Sequence, residues 1–111
     1  MITVFIKQSA LEDIINLKKI YEVRLNKLFF KSIKKNDIVL FKNSQKLTKC
    51  KIEEIYTFSN LDKLLKNIDF KYLNSRTKNI NENKVLYNSL YSDKNINKYG
   101  LIVFKIKIIE N

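Results

Sequence analysis

Apolar residues recur along this chain with two different periods, and the change from one to the other marks out its elements. Residues 2–6 (ITVFI) form a run of β-formers and predict a strand. Residues 21–25 (YEVRL) place Tyr21, Val23 and Leu25 on one face and Glu22 and Arg24 on the other, a second strand with one charged face. Residues 38–41 (IVLF) predict a short buried strand. From Leu47 the alternation runs through Cys50, Ile52, Ile55 and Phe58, a long strand with a bulge expected at the Glu53-Glu54 pair. Residues 101–109 (LIVFKIKII) close the chain as a strand alternating around Lys105 and Lys107.

Between these runs the spacing lengthens to that of helices. Ser9 precedes Glu12 by three residues, a capping-box spacing, ahead of Leu11, Ile14, Ile15 and Leu17. Ser59 or Asn60 caps a helix over Leu61, Leu64, Leu65 and Ile68. Residues 69–73 predict a helical turn, and Val85, Leu86, Leu90 and Tyr91 form a helical stripe in residues 84–91. Residues 26–33 read as a turn or short helix, KKND at 34–37 as a polar turn and NSQK at 43–46 as a hairpin turn. Residues 75–83 carry little apolar content and predict an exposed loop. With no βαβα rhythm, repeat or linker, the expected class is α+β. It would be one domain over residues 1–111, a small curved sheet or barrel of about five to six strands flanked by helices.

Composition narrows the chemistry. At 111 residues and 45% hydrophobic the chain supports one modest core. No apolar run approaches the roughly 18 residues of a membrane span, so no membrane association is expected. The first 17 residues lack a basic leader and a small-residue cleavage site, and the Glu12-Asp13 pair also argues against a signal peptide. The lone cysteine, Cys50, excludes an internal disulfide, reads as a small core residue and suits a reducing, cytoplasmic setting. Histidine is absent, which excludes Ser-His-Asp and Cys-His catalysis and the commonest zinc ligand. A single glycine, Gly100, excludes Walker and dinucleotide phosphate loops. No cofactor or metal is therefore expected, and any chemistry falls to Lys, Glu, Asp, Tyr, Ser, Thr or Arg. The net charge of +11 suggests a polyanion, with RNA or DNA phosphates as natural candidates. Lysine, asparagine and isoleucine all have AT-rich codons, so genome bias explains part of the same excess. The only arginines are Arg24 and Arg76.

Four short stretches, in order, resemble the ASCH domain, a branch of the PUA-like superfamily. LKKIYEVR, from Leu17 to Arg24, stands where the family has G-x-K-T-x-E-x-R, and NDIVLF, from Asn36 to Phe41, stands where it has G-D-x-I-x-F. YTFSNLDKLL, from Tyr56 to Leu65, stands where the family has Y-x-S-F-x-x-L-L, and Tyr91, Ser92, Lys98, Tyr99 and Gly100 stand at a closing Y-S and K-Y-G. The departures are Leu17 and Asn36 at family glycines, Ile20 at the threonine, and Val23 between Glu22 and Arg24. The resemblance implies a PUA-like β-barrel with a cleft to one side, lined in part by the Lys-x-x-Glu-x-Arg segment. It also implies RNA or nucleotide binding, with roles in RNA metabolism, transcription or translation. Two activities occur in the family, an amidohydrolase acting on acetylated cytidine and a ribonuclease. The amidohydrolase members use a lysine, a threonine three residues later and a carboxylate after the middle strand. Here those positions offer Lys19, Glu22 and no glutamate between Glu54 and Glu82.

The candidate residues follow from this. Arg24 would offer its planar fork to a phosphate or base edge, and Glu22 would accept from a base amino group, unless the two form an ordinary surface pair. Lys19 and Glu22 are the catalytic candidates if the chain is an enzyme. Lys31, Lys34 and Lys35 form a basic turn that would hold a phosphate backbone or stay a solvated loop, and Lys18 joins the ligand-binding candidates. Ser92, Lys98 and Tyr99 lie at the lip of the last strand, where Tyr99 would stack on a base or pack on the barrel. Three functions remain open: a module binding RNA or a nucleotide, an enzyme acting on nucleic-acid components, and a module with a protein partner.

Overall fold

The computed structural model describes residues 1–110. The strands are β1 (Ile2–Phe5), β2 (Tyr21–Leu25), β3 (Ile38–Lys42), β4 (Leu47–Phe58) and β5 (Leu101–Glu110). They form one sheet in the order β1-β3-β4-β5-β2, with β1 parallel to β3 and every other pair antiparallel. The sheet curls into an open half-barrel, and helices complete an α+β domain. Curvature enters through β4, whose pairing with β5 shifts register between Lys49 and Cys50 and again between Ile52 and Glu54. The second shift is the bulge predicted at Glu53-Glu54; a bulge bends the strand and increases its twist. The barrel stays open because β1 and β2 share no backbone ladder, and the gap between these two edges becomes the site described below.

Alternation along β5 supplies both cores. Ile102, Phe104 and Ile106 face one cluster with Val4, Val39, Phe41, Cys50 and Ile52, which α1 (Gln8–Ile15) covers through Leu11 and Ile14. Leu101 and Val103 face the other cluster with Val23 and Leu25. That face is covered by α3 (Leu61–Asn67), α4 (Ile80–Tyr91) and α5 (Asp93–Tyr99). A fifth, single-turn helix, α2 (Leu28–Lys31), bridges β2 and β3. Burial pushes the Cys50 thiol up to about 12, as suits a small core residue.

Local chemistry accounts for the boundaries. The Asn60 side chain accepts from the Lys63 amide and starts α3, and the Asn43 side chain accepts from Gln45 and Lys46 amides and closes the β3–β4 hairpin. Three expectations need correction. α1 begins at Gln8 after an uncapped Lys7, so Ser9 lies inside the first turn and the Glu12 carboxylate accepts from the Gln8 side-chain Nε2 instead. Residues 75–83 are not all loop: Asn79 caps α4 through the Glu82 amide, so the helix starts at Ile80. α5 was not predicted, because it buries only Ile96 and so carries no apolar stripe.

The end of α1 sets up the site. The Lys18 amide bonds the Asp13 carbonyl at 2.8 Å and the Leu17 amide bonds that of Ile14 at 3.1 Å, a Schellman pair with Leu17 at φ 62°. Asn36 (φ 74°) and Ser92 (φ 66°) are the other non-glycine residues described there with positive φ. A left-handed leucine costs about 1–2 kcal/mol. Leu17→Gly is expected to raise stability by about 1 kcal/mol, read as a higher urea midpoint at unchanged slope; an unchanged or lower midpoint would contradict the cap assignment.

Candidate functional site

Strand β2 carries its two charges inward. Glu22 pairs with Phe104 and Arg24 with Ile102 across the β2–β5 ladder, so both share the α1-side face of the sheet. Glu22 is 6% exposed and lies between two cations, its Oε1 3.2 Å from Lys19 Nζ and its Oε2 3.0 Å from an Arg24 terminal nitrogen. Burial alone would push the Glu22 carboxyl up; the Lys19 and Arg24 charges outweigh it and hold the group below the usual carboxylate range. Lys19 is also buried, and its ammonium donates to the Tyr21 carbonyl at 2.6 Å and the Leu73 carbonyl at 2.7 Å. With Glu22 these make three acceptors for three N–H groups.

Arg24 spans the gap in the barrel. The nitrogen that meets Glu22 also donates to the Phe5 carbonyl at 3.1 Å, so one side chain ties the two edge strands together. Its guanidinium lies 5.4 Å from the centroid of the Phe30 ring. The side chain is 23% exposed, and its remaining N–H groups are available to a ligand.

Lys19, Glu22 and Arg24 line one cavity of about 440 Å³ between β1, β2, α1, α4 and the segment before α4. That volume falls within the range of small-molecule sites. Phe5, Ile6, Ala10, Leu73 and Leu90 make much of the wall apolar, while Lys7, Asp13, Asn74, Arg76, Tyr87 and Tyr91 add polar groups. Asp13, Asn74 and Tyr91 each have a structural reason. Asp13 accepts from the Ser75 amide and hydroxyl, pinning the segment before α4 onto α1. The Asn74 side chain accepts from the Arg76 and Thr77 amides and donates to Asn83, which is fully buried. Tyr91 donates to the Val23 carbonyl at 2.6 Å on the outer edge of β2. Burial raises the Tyr91 phenol and the Glu22 charge raises it further, so it remains a neutral donor.

The other candidates lie elsewhere. Lys18 is exposed beside the α1 cap, and Lys34 and Lys35 sit exposed on the turn before β3, where Lys35 pairs with Glu54 at 2.7 Å. Ser92 caps α5 through the Asn95 amide. The Lys27 and Lys98 ammoniums lie 5.0 and 5.1 Å from the Tyr99 ring centroid, so a base stacking there has to displace a lysine. None of these six lines the cavity. Conversely, the sequence reading missed Lys7, Asp13, Asn74, Arg76, Tyr87 and Tyr91 as wall residues. One signal pointed to Arg76: it is one of two arginines in a lysine-rich chain, and both stand in this wall.

Among the described residues there is no group of three or more potential metal ligands, and no helix is long and apolar enough to cross a membrane.

The fold recurs in solved structures. The crystal structure of the hypothetical protein PH0355 superposes with a TM-score of 0.87 and 25% identity over 96% of this chain and 97% of that one. The solution structure of protein PF0455 from Pyrococcus furiosus gives 0.81 and 23% identity over 99% and 98%. No protein-family model matches the chain, and no curated protein matches it. The likeness therefore establishes the fold and leaves function to the cavity.

Proposed function

We propose that this chain is an ASCH-like domain that binds RNA or a nucleotide in the cavity between its two edge strands. The observation that carries this reading is the convergence of Lys19, Glu22 and Arg24, distant from Arg76 in sequence, on one concave wall that holds both arginines. Further support comes from the backbone: Leu17 and Asn36 stand at glycine positions of the family pattern and both adopt the positive φ that glycine favours. Gly100 does so as well, and a Cβ there would lie 3.1 Å from the Phe58 carbonyl.

The reading is one of binding. A base or nucleophile needs a lone pair, and the Lys19 ammonium faces three acceptors in a buried setting. Glu22 occupies the position of the amidohydrolase hydroxyl and is neutralised from both sides. Lys19 and Glu22 thus act as the frame that aims Arg24.

Equilibrium titration of the purified protein with mononucleotides and short single-stranded RNA at low salt tests the proposal. Saturable binding that weakens as salt rises is expected. Absence of binding to either class at low salt would remove it.

A further inference from the structure

Lysine is the ordinary cation of this chain, since only two of its 22 basic residues are arginine. Arginine differs in offering a planar fork that meets phosphate oxygens two at a time. Arg24 is partly committed, to Glu22 and the Phe5 carbonyl. The Arg76 guanidinium and the Lys7 ammonium, in the same wall, make no hydrogen bond or ion pair among the described residues. The acidic groups of that wall are engaged elsewhere, Asp13 by Ser75 and Glu22 by Lys19 and Arg24. With Lys19 and Arg24 beside them, the four cationic residues of the lining exceed its two carboxylates, Asp13 and Glu22, by two charges, in a cavity whose remaining walls are largely apolar.

The Arg76 backbone is also held in advance. Asn74 is 5% exposed, accepts from the Arg76 and Thr77 amides at 3.0 Å each, and is itself fixed by Asn83 and Tyr87. A backbone ordered before the ligand arrives lowers the entropic cost of binding.

Resting on the nucleotide reading above, we infer that Arg76 and Lys7 receive a phosphate monoester, with Arg24 facing the sugar or base of the same ligand. A monoester carries close to two negative charges at neutral pH, matching the excess of two positive charges in the lining, whereas an internal phosphodiester carries one. That chemistry has two sources, a free mononucleotide and the phosphorylated end of a single strand.

The test compares nucleoside monophosphates with their nucleosides, and 5′-phosphorylated with 5′-hydroxyl oligonucleotides, on the wild type, Arg76→Gln and Lys7→Gln. Both residues are exposed, so both variants are expected to fold. The phosphorylated forms are expected to bind at least about tenfold tighter, and Arg76→Gln to erase most of that preference. Equal binding of phosphorylated and unphosphorylated forms would overturn this inference alone, as would a preference that survives in both variants. Failure of every probe to bind would overturn it together with the nucleotide reading. A preference shown by mononucleotides points to the free ligand, and one confined to oligonucleotides points to a strand end; either supports the monoester site.

Discussion

Glu22→Gln is expected to lower the stability of this domain by about 3–5 kcal/mol, the cost typical of breaking a buried ion pair from one side. The substitution keeps the shape of the side chain and removes its charge, leaving the buried Lys19 and the half-buried Arg24 without their anion. A domain of this size has roughly 5–15 kcal/mol of total stability, so the loss is a large fraction of the whole. The acid limb gives a second reading of the same group. Its carboxyl is held below the ordinary range in the folded state, so its contribution is complete above that range and disappears as pH falls through the lowered value. The difference in urea midpoint between wild type and Glu22→Gln is therefore expected to be full at neutral pH and to narrow in acid. A variant as stable as the wild type at pH 7, or a difference that widens in acid, would contradict the buried triad.

Arg24→Ala is expected to weaken ligand binding by roughly 10- to 100-fold, the loss of one or two charge-assisted hydrogen bonds. Glu22 retains Lys19 in this variant, so the fold keeps a neutralised carboxylate at its edge. Arg24→Lys separates charge from geometry. A lysine preserves the positive charge, but has no fork to serve Glu22, the Phe5 carbonyl and a ligand together. It is expected to recover less than half of the lost binding energy. Recovery of wild-type affinity would show that Arg24 acts only as a point charge.

The sequence pattern carried the sheet well, because alternation in residues 21–25, 47–58 and 101–109 is set by faces that are buried along most of their length. It also placed Lys19, Glu22 and Arg24 together, since three residues on and before one short strand cannot lie far apart. What it could not carry was the opposite wall. Asp13 and Ser75 meet across 62 positions, and Asn83 is fully buried within a polar run that reads as solvent-exposed. Its burial makes sense only once Asn74 and Asn79 are seen to satisfy its amide. The same holds for Lys19, whose backbone acceptor on Leu73 lies 54 residues away. As one lysine among many it reads as decoration or catalyst; its contacts make it a tie between β2 and the segment preceding α4. The expected small barrel of about five to six strands flanked by helices is met as a five-stranded half-barrel, left open where a side chain from β2 and the cavity it borders fill the space that a ladder to β1 would need.

Amide and arginine side-chain NMR shifts, followed while a mononucleotide or short RNA is titrated into the labelled protein, test the central claim most directly. Perturbations are expected to concentrate on Phe5, Lys7, Glu22, Arg24, Arg76 and Tyr91, around the gap between the two edge strands. Shifts centred instead on Lys34, Lys35 or Tyr99, with the cavity unmoved, would place the binding surface elsewhere and contradict the account.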